Sequence, residues 1–167
     1  MKYLKTFNES VSNEYYSAGI VFVYDDKILL VHPTNRSAPN EPIDDDDYIW
    51  SYPKGKVDDG EDLKMAAIRE VGEELSISLP NNFLDNINVE EAYVGIKHDP
   101  LPEFRGLKHY VYFTYYLNDV EFEKYFNSEL TIPKTKLQLW EVDAAQFFDR
   151  KTAEIKCAEK ISKILNY

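Results

Sequence analysis

The sequence has one cysteine, no apolar run of transmembrane length and a shortage of positive charge, and each of these closes off a class of function. Cys157 alone cannot form an internal disulfide, and its setting in a lysine-rich helical pattern near the C-terminus reads as packing rather than as a nucleophile. With no apolar run long enough to span a bilayer and no hydrophobic segment in the opening MKYLKTFNESVSNE, no membrane partner is expected, and the expected location is cytoplasmic. Nineteen basic against thirty acidic residues leave a net charge of -11. That charge repels polyanions, which makes a long nucleic acid a poor partner, whereas a small polyphosphate arriving with its cation is compatible. Internal repeats and low-complexity linkers are also missing. At 167 residues and 44% hydrophobic content the chain suits one domain, expected over 17–167, with 1–16 as an arm or edge element. The oligomeric state is not legible from the residues.

What is present is concentrated between Pro53 and Ile77, in PKGKVDDGEDLKMAAIREVGEELSI. A helix of this register brings Glu70 and Glu74 together as i,i+4 neighbours, with Glu73 beside them. Three like charges on one surface are costly without a cation, and hard oxygen ligands at this density suit Mg²⁺ or Mn²⁺. Arg69, i,i+4 from Glu73, is placed to orient that carboxylate. Ile68, Val71 and Leu75 form the opposing apolar stripe. Asp58 or Asp59 is expected to cap the helix, with Glu61 and Asp62 near the positive end of its dipole.

Gly55, five residues, Glu61, seven residues, then Arg69-Glu70-Val71-Gly72-Glu73-Glu74-Leu75-Ser76-Ile77 closely resembles the signature of the Nudix hydrolases, G-x5-E-x7-R-E-U-x-E-E-x-G-U, with U aliphatic. Ser76 departs from it, standing where the family has glycine. A left-handed residue ending the helix would suit glycine there, and a side chain costs roughly 1–2 kcal/mol.

The resemblance implies an α/β fold, the Nudix α/β/α sandwich with a mixed β-sheet. It implies a metal-dependent pyrophosphohydrolase that splits a nucleoside diphosphate from another moiety. The Gly55 carbonyl and Glu70, Glu73 and Glu74 would hold the metal, Mg²⁺ (or Mn²⁺), with Glu73, paired with Arg69, as first choice for the base. Asp119, Glu121, Glu103 and Glu129 are outside candidates for that role. Pro53-Lys54-Gly55 resembles the variant in subfamilies acting on dinucleoside polyphosphates, diphosphoinositol polyphosphates and RNA 5′-pyrophosphate ends. Lys54 is thereby a candidate phosphate contact. Dinucleoside polyphosphates such as diadenosine tetraphosphate lead as substrate, followed by ADP-ribose and RNA 5′ ends. A catalytically silent nucleotide- or protein-binding module is the reading from another class, and it predicts loss of a metal glutamate that is not seen. The tail LWEVDAAQFFDRKTAEIK is similar to the end of a bacterial group of Nudix pyrophosphohydrolases without a substrate to carry over.

Elsewhere the chain reads as a hairpin of Ser17 to Tyr24 and Lys27 to Val31, then a polar loop from His32 to Asp47. That loop carries Arg36, a candidate substrate contact, and four aspartates, Asp44 to Asp47, that read as a solvated run lacking the ligand spacing of a calcium loop. Strands are expected at Tyr48 to Tyr52, Val89 to Lys97 and Thr135 to Val142, and most clearly at Leu107 to Leu117, which alternates with period 2. Arg105, in the loop from His98 to Gly106, is a further phosphate candidate, and the sequence alone defines no role in catalysis for His98 or His109. Asp119 to Glu129 reads as a short helix or crossing, Asp143 to Phe148 as a helix start, and Lys151 to Leu165 as an amphipathic helix with Ile155, Ala158, Ile161 or Ser162, and Leu165 at helical spacing.

Overall fold

The computed structural model describes residues 13–34, 50–88, 90–97 and 106–157, and its strands and helices are arranged around β1, Asn13–Tyr24. This strand begins four residues before the expected Ser17, so the segment read as an arm contributes its last residues to the sheet. Asp25 and Asp26, with φ of 45° and 59°, turn it into β2, Lys27–Pro33. Two successive positive φ values are the requirement of a tight two-residue hairpin.

The hairpin pairs only near its turn, through Val23 with Ile28 and Tyr24 with Lys27. Beyond that the two strands splay, and the chain from Trp50 to Lys56 fills the gap. Ser51 exchanges backbone hydrogen bonds with Val31 at 2.7 and 3.0 Å, and β3, Lys54–Lys56, pairs antiparallel with Ser17 to Gly19. The strand expected at Tyr48 to Tyr52 is therefore, in its described part, a pair of isolated bridges leading to a shorter strand. Gly19 makes the crossing feasible, because a Cβ there would overlap the Pro53 carbonyl.

On the other side β1 runs parallel to β5, Gly106–Tyr116, which pairs antiparallel with β4, Glu90–Lys97. β6, Val142–Asp149, closes the opposite edge on β2. The order is β4-β5-β1-β2-β6, with β3 beside β1. It is a mixed sheet, as expected.

Alternation along the strands sends apolar side chains to both faces. Ala18, Ile20 and Phe22 join Val111, Phe113 and Phe147 under α1, Leu63–Leu75, and α2, Asp119–Phe126. Val21, Val23, Ile28 and Leu30 join Trp50, Tyr52, Tyr112 and Phe148 under α3, Arg150–Lys156. The result is the α/β/α sandwich, each buried large side chain contributing about 1.5–3 kcal/mol of transfer energy before entropy. No helix among the described residues is long and apolar enough to cross a membrane.

Three expectations are corrected. Asp62, not Asp58 or Asp59, caps α1, its Oδ1 accepting from the backbone N–H of Lys64 at 2.9 Å and of Met65 at 3.2 Å. Thr135 to Val142 is not a strand. It holds a 3₁₀ turn at Lys134–Lys136 and a further turn at 139–141, while the strand occupies Val142–Asp149, where a helix start was read. Finally, Ile155 is exposed and Ala153 and Cys157 take the buried side of α3. Cys157 packs as expected, and burial pushes its thiol up to about 12.

Candidate functional site

The site forms where β3 meets α1. Gly55 lies against the Glu70 carboxylate so closely that a Cβ at Gly55 would overlap it, so an alanine here would expel the carboxylate. Glu70 and Glu74 are 5% and 6% exposed, on the same face of α1 one turn apart.

Arg69 binds one side of this arrangement. Its Nε and Nη2 donate to Oε1 and Oε2 of Glu61, both at 2.9 Å, in a two-pronged pair. Its Nη1 donates to Glu70 at 2.7 Å and Glu73 at 2.9 Å, and Nη2 also donates to the Lys56 carbonyl at 2.9 Å. The guanidinium thus ties the loop after β3 to the helix, and it holds Glu61 below its ordinary range. Glu61 accepts from the Asp58 backbone N–H as well, at 3.0 Å, so it belongs to the loop ahead of the Asp62 cap.

On the other side the third carboxylate is Glu141, which the sequence reading did not single out. Glu70, Glu74 and Glu141 each present an oxygen within 4.8 Å of the others. The turn ahead of β6 delivers Glu141. Gln138 N–H donates to the Glu74 carbonyl at 3.1 Å, Glu141 N–H to the Gln138 carbonyl at 2.8 Å, and Thr34 N–H to the Glu141 carbonyl at 2.8 Å. The turn is bonded both to α1 and to the end of β2. Its one signal in the sequence is the Glu-Val-Asp of the tail resemblance.

Burial pushes Glu74 up to about 8. The Lys54 charge and the Lys54 backbone N–H pull it partly back, and Glu70 and Glu141 push it further up. Burial also raises Glu70, against the pull of Arg69. Glu74 Oε2 is buried without a hydrogen-bond partner among the described residues. An orphaned carboxylate oxygen, two more carboxylates within reach and a glycine that clears the space fit the donor set and cradle that a hard divalent cation requires.

Glu73 lies outside this group, with its side chain 45% exposed, joined to it through Arg69. Lys54 stands at the start of β3 with its charge acting on Glu74. Arg36, Arg105, His98, Glu103 and the Asp44 to Asp47 run lie outside the described residues. The outside candidates for a base have other work. Asp119 accepts from the Tyr24 hydroxyl at 3.1 Å, and Glu121 closes the capping box of α2 with Asn118 and accepts from the Tyr115 hydroxyl at 2.6 Å. Glu129 is exposed in the turn after α2. His109 stacks on Tyr16 at 4.5 Å. Unforeseen, His32 is buried against Trp50 and paired through Nδ1 with Asp143 at 2.7 Å.

The comparisons with known proteins bear on this arrangement. An RNA pyrophosphohydrolase of Novosphingobium aromaticivorans is 40% identical over 52 residues, which is 30% of this chain and 32% of that protein. The match spans about a third of the length of such relatives. The MutT protein of Methanosarcina mazei Go1 superimposes with a TM-score of 0.57 at 14% identity, covering 94% of both chains. An Ap4A hydrolase of C. elegans does so with a TM-score of 0.52 at 19% identity, over 90% of this chain and 91% of that one. At those identities the structures show a shared fold alone. The profile of the NUDIX domain, however, matches residues 15–165, taking in every element that builds the site. With that extent of match, the glutamate helix and the glycine beneath it, the chain belongs to the NUDIX domain family.

Proposed function

We propose that this protein is a metal-dependent pyrophosphohydrolase acting on nucleotides whose polyphosphate joins two groups, dinucleoside polyphosphates first. The observation that carries the reading is the group of buried Glu70 and Glu74 with half-buried Glu141, one carboxylate oxygen of which is left without a partner among the described residues. Those three carboxylates and the Gly55 carbonyl would hold Mg²⁺ (or Mn²⁺). When bound, the cation neutralises phosphate charge and lowers the pKa of water. Glu73 is the base that takes the proton from the attacking water, its carboxylate oriented by Arg69. The water oxygen joins phosphorus, the bridging P–O bond breaks, and the displaced phosphate leaves with the electron pair. Lys54 meets the phosphate chain as a point charge beside Glu74.

RNA 5′-pyrophosphate ends are the second reading, favoured by the local similarity to RNA pyrophosphohydrolases. A chain of net charge -11 would hold such a substrate by its 5′ end rather than along its backbone.

The test is hydrolysis of diadenosine tetraphosphate in ¹⁸O-labelled water with Mg²⁺, the products read by mass spectrometry, with Glu74→Gln as control. Label in one product, lost in the variant, is expected and locates the phosphorus attacked. No turnover of this substrate, with release of pyrophosphate from triphosphorylated RNA, would shift the assignment to RNA ends. Silence on both and on ADP-ribose would overturn the reading.

A further inference from the structure

Two tryptophans of this chain are treated oppositely by the fold. Trp50 is 3% exposed in the core under α3, whereas Trp140 is 78% exposed in the turn that delivers Glu141. Leaving an indole in water forgoes one of the largest burial contributions a side chain can make, so the position calls for a reason other than packing.

The turn holding Trp140 is fixed on both sides. Gln138 N–H bonds the Glu74 carbonyl at 3.1 Å, Thr34 Oγ1 donates to the Leu139 carbonyl at 2.9 Å, and Thr34 N–H donates to the Glu141 carbonyl at 2.8 Å. Trp140 and Glu141 are consecutive, so their Cα atoms are about 3.8 Å apart. A solvent-open aromatic ring is thereby carried, on a hydrogen-bonded turn, one residue from a carboxylate of the metal-capable group. The other strongly exposed aromatic among the described residues, Tyr116, pairs with Val23 at the hairpin end of the sheet, four residues along β1 from the Gly19 and Lys54 pair. At about 3.3 Å per residue it is removed from the site.

We infer that Trp140 is the stacking platform for a nucleobase of the substrate. The inference rests on the proposed hydrolase reading and narrows it. Of the substrate classes that the Pro-Lys-Gly variant leaves open, the base-bearing ones, dinucleoside polyphosphates and RNA 5′ ends, offer a flat aromatic ring a few bonds from the phosphates, and diphosphoinositol polyphosphates do not. Stacking also suits an acidic protein, because an uncharged π-face holds the base without adding to the repulsion of phosphate.

The test uses the full chain with Mg²⁺ and reads the red-edge fluorescence that an exposed indole supplies and a buried one does not. The non-hydrolysable β,γ-methylene analogue of ATP is expected to quench that emission, and inorganic tripolyphosphate is not. In turnover of diadenosine tetraphosphate, or of triphosphorylated RNA if only that is cleaved, Trp140→Ala is expected to raise KM about tenfold with kcat within about threefold. Trp140→Phe restores KM and Trp140→Leu does not, which separates stacking from mere apolar contact. Equal quenching by tripolyphosphate, no quenching by the nucleotide, or an unchanged KM in Trp140→Ala would overturn the inference while leaving the hydrolase reading intact. A change of oligomeric state in Trp140→Ala at unchanged KM would assign the ring to a protein contact instead. Absence of turnover in the wild type, with nucleotide quenching retained, would sink the hydrolase reading and leave the platform standing.

Discussion

Arg69 stands beside two groups of carboxylates, carried by α1, the loop before it and the turn ahead of β6, and the groups differ in what balances their charge. Glu61 and Glu73 face the guanidinium directly, and Glu61 is held below its ordinary range by that contact. Glu74 and Glu141 lie on the far side, and there burial and mutual repulsion push Glu74 up to about 8 despite Lys54. Glu70 touches both groups, since it accepts from Arg69 yet is raised by burial. The Arg69 side is a satisfied ion-pair network that fastens loop to helix. The Glu74 side is short of positive charge in the folded protein, and a divalent cation would make it whole.

The strongest way to break this contrast is on the short side. Glu74→Gln is expected to lower turnover at least about 100-fold and to abolish the thermal stabilisation by Mg²⁺, checked by steady-state kinetics and by melting with and without the ion. Breaking the satisfied side has a different signature. Arg69→Met strands the partly buried Glu61 and Glu70 and is expected to cost about 2–3 kcal/mol in urea unfolding, because five hydrogen bonds from one guanidinium are lost.

A pH series sharpens the contrast further. Glu74 has a folded pKa raised above its unfolded value, so its contribution to the stability of the metal-free protein is fully present below about pH 4.5 and is lost as pH rises toward about 8. Metal-free Glu74→Gln is therefore expected to match the wild type near pH 5 and to melt higher than it at pH 8. A difference that does not grow with pH would show that Glu74 is not the strained group. The smallest effect lies off both groups. Ser76, the residue ending α1, adopts φ 54° and ψ 31°, the left-handed conformation expected at the signature glycine. Ser76→Gly should gain about 0.5–1 kcal/mol, a melting rise of about 1–4 °C, with metal affinity unchanged.

The glutamate helix, the left-handed end at Ser76 and the alternation of β5 were legible because each depends on residues close in sequence. Glu141 was not. It reaches the cluster through a backbone bond from Gln138 to the Glu74 carbonyl and through the pairing of β6 with β2, neither of which leaves a local period. β6 itself reads as a helix start in the sequence because Val142, Ala145 and Phe147 face one layer while Ala144 and Phe148 face the other, which erases the polar alternation of a half-exposed strand. The cap of α1 falls at Asp62 rather than at the expected Asp58 or Asp59, since composition allows any of the three and the Arg69 to Glu61 pair decides where the loop ends. The aromatic at Trp140 gave no warning either, because exposure is decided by the turn around it.

The central claim, that the Glu74 side is a strained cation site, is tested most directly by calorimetric titration of the protein with Mg²⁺ and Mn²⁺ at pH 7, in two buffers of different ionisation enthalpy. Binding is expected to release close to one proton, the one that Glu74 carries when metal-free, and Glu74→Gln is expected to lose both the binding and the release. Binding without proton release, unchanged in Glu74→Gln, would place the cation elsewhere and contradict the account.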